Sequence, residues 1–220
     1  MKRGEETEPD RIVIPALTEA APKRRRPAKN ARATRSVEKL WADVGWAMKN
    51  QLPARELVPM LERLAEAALP ASRERAFALR ELAKLLLGKD PWRAARYARQ
   101  ALAAGEEAEA WGVLGIALSM LGHYRAGVRA HRRALALDPG SPEHAHNLGH
   151  LLDLGLGLPE RGIHYLELAH RLAARDPEIA ASYGHALVRV GQSNAALTLL
   201  EALLPGGRDE ALELVERWSG

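Results

Sequence analysis

The sequence predicts an all-α protein: a right-handed α-solenoid of tandem helix-turn-helix repeats behind a disordered basic tail. Three observations predict it. Small residues recur at a constant period, with Gly149 following Gly115 by 34 residues and Gly184 following Gly149 by 35. Two further series, Ala94–Gly127–Gly162–Ala196 and Ala101–Ala134–Ala169–Leu203, keep steps of 33 to 35. Ala, Leu, Arg and Glu dominate while Phe occurs once, a composition that favours helices. Breakers fall where helix pairs must turn: Gly122, Asp138-Pro139-Gly140, Gly155 to Pro159, Asp176-Pro177, Gly191 and Pro205-Gly206-Gly207.

Residues 1–35 carry ten Lys/Arg against five Asp/Glu and few large apolar side chains, so this segment reads as a disordered basic tail. The other 185 residues carry 22 and 23, which assigns the basic character to the tail and not to the folded body. Within the tail, Arg11 to Pro15 is a short apolar island, read as incidental. Structure is expected from Ser36, a candidate N-cap lacking the partner of a full capping box. Val37, Leu40, Trp41, Val44 and Met48 make one amphipathic stripe. Pro53 opens a second, with Leu57, Leu61, Leu64 and Ala68 on its face. Residues 36–70 thus read as a helical cap or degenerate first repeat.

Residues 71–207 divide into repeats at about 71–106, 107–141, 142–176 and 177–207. In the first of these, Leu79, Leu82, Ala83 and Leu86 face Ala94, Ala98 and Ala101. The helices of the other three run about 107–121 and 124–137, 142–155 and 159–174, 177–190 and 193–204. The turn before Glu160 holds one extra residue. Residues 208–220 form a capping helix that turns Ala211, Leu214, Val215 and Trp218 inward, as a solenoid end requires. The five tryptophans are assigned to the core, with Trp92 at the start of a helix beside Pro91.

Trp111, Leu114, Gly115, Leu118, Gly122, Tyr124, Ala134 and Pro139 form one spaced signature, and with it the chain resembles the tetratricopeptide-repeat family over roughly Arg75 to Pro205. The resemblance implies that the first helix of each repeat lines a concave wall that holds a partner peptide or helix. The wall would present Arg80 and Lys84, then Glu109, Val113, Ile116 and Met120, then Glu143, His146, Asn147, His150 and Asp153, then Ser182, His185 and Arg189. It would run from cationic, through apolar, to polar and histidine-rich. Some family members clamp the C-terminal carboxylate of heat-shock chaperones with Lys, Asn and Arg. Only Asn147 stands at such a position here, so that partner is rejected. The tandem arrangement also resembles secretion chaperones of this type.

Other chemistries are weaker. His146, His150 and Asp153 share one helix face and suit zinc or nickel, yet the adopted reading is a polar wall without metal or cofactor. His146-Asn147-Leu148-Gly149-His150 lacks the Glu of a metalloprotease helix. Ser182 and His185 lack a nucleophile turn, and no acid, base and oxyanion set converges, so no enzyme is expected. Lys23, Arg24, Arg25, Arg26, Lys29, Arg32 and Arg35 are cations without an intervening acid, which gives the alternative function: a tail recruiting nucleic acid or an anionic membrane. Cysteine is absent, and no apolar run reaches the ~18 residues of a membrane span. The expectation is a cytoplasmic, bacterial scaffold or adaptor.

Overall fold

Cap residues and prolines set the helix starts. Ser72, Asp90, Ser141 and Asp176 each accept a first-turn backbone N–H, and Pro91, Pro142 and Pro177 directly follow their caps, where a missing N–H costs nothing. The computed structural model describes residues 27–219, with side chains from Ser36 onward. Among these residues there are helices and turns but no strand. The helices are α1 (Pro27–Lys49), α2 (Ala54–Ala67), α3 (Arg73–Leu86), α4 (Pro91–Ala104), α5 (Ala108–Met120) and α6 (Tyr124–Leu137). They continue as α7 (Pro142–His150), α8 (Pro159–Leu172), α9 (Pro177–Arg189), α10 (Ser193–Glu201) and α11 (Gly207–Ser219). The first helix thus begins nine residues earlier than expected, and Lys29, Arg32 and Arg35 belong to it. Residues 1–26, with the apolar island and Lys23 to Arg26, lie outside the described residues.

Each helix packs on the next, so α3–α4, α5–α6, α7–α8 and α9–α10 form stacked hairpins, and α11 closes the stack against α9 and α10. First helices also touch one another, α3 on α5 and α7 on α9, more extensively than second helices do. A stack drawn tighter along one side curves toward it, so at these two junctions the stack leans toward its first helices.

The periodic glycines make matching contacts. A methyl group on Gly115 would lie 2.6 Å from the His131 ring, one on Gly149 2.7 Å from Leu166 Cγ, and one on Gly184 3.3 Å from Leu200. Each is a first-helix position where the second helix of the same repeat approaches closely. The middle pair is one residue farther apart in sequence. That extra residue sits inside the helix and not in the turn: Leu151–Gly155 is a π-turn, with the Leu156 N–H donating to the Leu151 carbonyl at 3.1 Å.

One apolar cluster runs from Val44 to Ala130, while α7 to α11 are held by three smaller ones. Two tryptophans depart from the expected core. Trp46 and Trp92 are exposed because they fall on the outward sides of α1 and α4, whereas Trp41 packs edge-on against Phe77.

Candidate peptide-binding wall

Helix α7 shows how a first helix distributes its side chains. Ala145, Leu148 and Gly149 are buried. His144 reaches back over Gly112 of α5, where a methyl group would lie 2.8 Å from its ring. His146 reaches forward, its Nε2 hydrogen-bonded to Ser182 Oγ of α9 at 2.9 Å. The remaining side, at spacing i, i+4 and i+7, carries Glu143, Asn147 and His150. Asn147 takes part in none of the side-chain hydrogen bonds among the described residues that link its neighbours. Burial, then the adjacent His150 at 5.7 Å between ring centroids, pushes the His146 pKa down, so this inter-repeat hydrogen bond joins neutral groups.

The expected polar stripe of α7 is therefore split. His146 belongs to a joint between repeats. Asp153 is 2 % exposed, carried inward by the π-turn, and ion-paired with Arg189. The same Arg189 group donates to the Asp153 carbonyl at 3.0 Å, and His185 Nδ1 lies 3.6 Å from the Asp153 carboxylate. His185 also meets Trp218 edge-on. Asp153, His185 and Arg189 thus clamp the π-turn to α9 and are not offered to a ligand. His146, His150 and Asp153 do not converge, and no cluster of three His, Asp or Glu suited to a metal occurs among the described residues.

Toward the N-terminus the wall closes. Arg80 pairs with Glu81, Glu107 and Glu109, and Lys84 with Glu109 at 2.6 Å and Glu81 at 3.5 Å. Burial acts to raise the Glu109 pKa, but the Lys84 and Arg80 charges win and hold it below the usual carboxylate range. Burial likewise opposes, and the carboxylates outweigh it, in raising the pKa of Arg80 and of Lys84. Two cations among three carboxylates correct the expectation of a cationic end. Val113 is 6 % exposed and packed in the N-terminal cluster, not presented, because α3 sits directly on α5 there. Ile116 is partly open, and Met120 is 52 % exposed.

Five of the eight histidines were not singled out from the sequence, and two of these pack against glycines of α5. His144 fills the space that Gly112 leaves. His131 is buried at the contact position that Leu166 and Leu200 hold in later repeats, its Nδ1 has no partner, and burial pushes its pKa to about 4. Its phase within an apolar stripe was the available signal.

Three solved structures are similar along their length. Pseudomonas aeruginosa PilF has a TM-score of 0.65 at 20 % identity, covering 85 % of this chain and 84 % of that one. MamA from Desulfovibrio magneticus RS-1, residues 41 to the end, has 0.64 at 17 % identity, covering 84 % and 98 %. Another MamA structure has 0.63 at 20 % identity, covering 82 % and 93 %. PilF and MamA are tetratricopeptide-repeat proteins. The fold is that of the tetratricopeptide repeat. No family model matches the sequence, and neither does a curated protein. No helix among the described residues is long and apolar enough to cross a membrane.

Proposed function

We propose that the chain is a non-enzymatic, cytoplasmic scaffold or adaptor that holds an extended or helical segment of a partner protein against the open side of α5 and α7. The observation that carries this reading is the contrast along the first-helix row. Its N-terminal cations are consumed in ion pairs, whereas Asn147, His150, Ile116 and Met120 keep their binding capacity free. Asn147 can both donate to and accept from a peptide backbone. Met120 with Ile116 gives an apolar seat that adapts to the side chain it meets. Exposed Glu143 and Glu178 favour a partner with neutral or cationic side chains over one ending in a carboxylate. The likeness to scaffold proteins of the same fold supports the class of function, and the absence of cysteine suits a reducing compartment.

Affinity capture from native lysate with wild type and with Asn147→Ala/His150→Ala tests the reading. Both changes are on partly or fully exposed positions, so circular dichroism and melting should be unaltered. The expected result is loss of a partner that wild type retains. Equal recovery by the two proteins would remove the wall from the account.

A further inference from the structure

Helices α4 and α6 together carry seven arginines and no carboxylate. Two at the margins are neutralised, Arg93 by Glu62 and Arg133 by Glu106, each at 2.8 Å. Arg96, Arg99, Arg125, Arg129 and Arg132 are exposed and have no carboxylate within 4.0 Å among the described residues. They are in register. Trp92, Arg96 and Arg99 follow i, i+4, i+7 along the outer side of α4, and Arg125, Arg129 and Arg132 repeat that spacing 33 residues later on α6. One repeat further, α8 has Glu160, His164 and Glu167 at the corresponding positions, so the cationic surface ends after two helices. A body with nearly balanced charge therefore carries five unpaired cations on two second helices, with no carboxylate among them on those helices, where they repel one another unless an anion lies against them.

We infer that this outer face of α4 and α6 docks on an anionic phospholipid bilayer. The guanidinium fork binds phosphate in two-point fashion and is more weakly hydrated than an ammonium, which suits contact at a headgroup layer. Trp92 is 66 % exposed at the head of one row, and Tyr124 is exposed at the head of the other. Aromatic rings with one polar edge settle at the depth of lipid headgroups. The face is on the second-helix side, across the stack from the first-helix wall. A bilayer presents phosphates over a continuous plane, so both rows engage together, and the wall on the other side stays open for a protein partner.

Co-sedimentation of the full chain with phosphatidylcholine vesicles, with and without about a third phosphatidylserine, tests the inference at physiological ionic strength. Wild type should bind only the anionic vesicles. Each cation near such a surface strengthens binding by roughly fivefold, so Arg99→Gln/Arg125→Gln/Arg129→Gln/Arg132→Gln should weaken it by at least about thirtyfold after screening. Arg161→Gln/Arg171→Gln, on α8, should change it by no more than about twofold, within that per-cation limit. The loss on α4 and α6 should persist when Lys23, Arg24, Arg25 and Arg26 are all changed to Gln. No anionic-vesicle binding by wild type, unchanged binding by the quadruple variant, or binding that disappears with the tail substitutions alone overturns the inference. So does a random-sequence DNA duplex that displaces the protein from vesicles, since the face would then prefer nucleic acid. Capture by Asn147→Ala/His150→Ala is unaffected by any of these outcomes.

Discussion

The N-terminal and C-terminal halves of the stack are joined by different means. From α1 to α6 a single apolar cluster runs without interruption, and the first-helix wall over α3 and the start of α5 is sealed by the Arg80–Lys84–Glu109 network. From α7 to α11 the apolar contacts break into three groups, and polar joints bridge the repeats: His146 to Ser182, and Asp153 to Arg189. Continuous apolar burial favours rigidity, whereas polar joints fix geometry while leaving neighbouring groups such as Asn147 available. The same repeat period therefore supports a sealed stretch over α3 and a wall that opens from the later part of α5.

The largest expected effect comes from the continuous core. Leu82 is fully buried, and Leu82→Ala should cost about 3–4 kcal/mol in urea unfolding. Leu200→Ala, in a smaller cluster near the C-terminal end, should cost about 2 kcal/mol. Equal costs would erase the contrast between the halves.

A pH dependence comes next. The folded-state pKa of His131 is about 4, below its usual 6.5, so between those values the unfolded chain takes up a proton that the folded chain refuses. Stability must fall as pH drops from 6.5 to 4, by at most about 3 kcal/mol from this group, and level off below. His131→Leu, which copies Leu166 and Leu200, should flatten that part of the profile and raise stability at neutral pH by about 1 kcal/mol, because no unpartnered Nδ1 remains. An unchanged profile would mean that another group controls it. His146 has a pKa shifted in the same direction and contributes to the slope that remains.

Asp153→Ala should cost about 2–3 kcal/mol, less than a fully buried pair because Arg189 keeps some solvent, and should raise hydrogen exchange in α9 before α3. Adding Arg189→Ala should recover part of the loss. The smallest contrast lies in the glycines. At Gly149 a methyl group meets the Gly162 carbonyl oxygen at 2.9 Å as well as Leu166, so Gly149→Ala should cost about 1–3 kcal/mol. At Gly184 the nearest atoms belong to the Leu200 side chain, at 3.3 Å, and Gly184→Ala should be close to neutral, within about 1 kcal/mol once helix propensity is counted. A reversed order would contradict the packing described.

Much of the fold was legible because it depends on local spacing. The 34-residue period, the breakers at Asp138-Pro139-Gly140 and Asp176-Pro177, and the glycine register are all properties of neighbouring residues along the chain. The extra residue before Glu160 was visible too, but sequence could not choose between a longer turn and a π-turn, since that choice is made by how α8 packs on α7. Asp153 was misread for this reason. The wall was less legible because ion pairing is tertiary. Arg80 and Lys84 look free until Glu107 and Glu109 arrive from the next repeat. Val113 shares the phase of Asn147, yet α3 lies closer to α5 than helical periodicity can reveal. Charge summed along the chain hid the two arginine rows, which share a side only once α4 and α6 take their places as second helices of successive hairpins.

The most direct test of the central claim, that the first-helix wall opens for a partner from Met120 onward, is site-specific photo-crosslinking in cells. A benzophenone side chain replaces one residue at a time: Met120, Asn147, Lys84 in the sealed part, and Thr198 on the exposed side of α10. A discrete crosslinked protein is expected from Met120 and Asn147 and none from Lys84 or Thr198. Crosslinks of equal strength from all four, or from Thr198 alone, would contradict it.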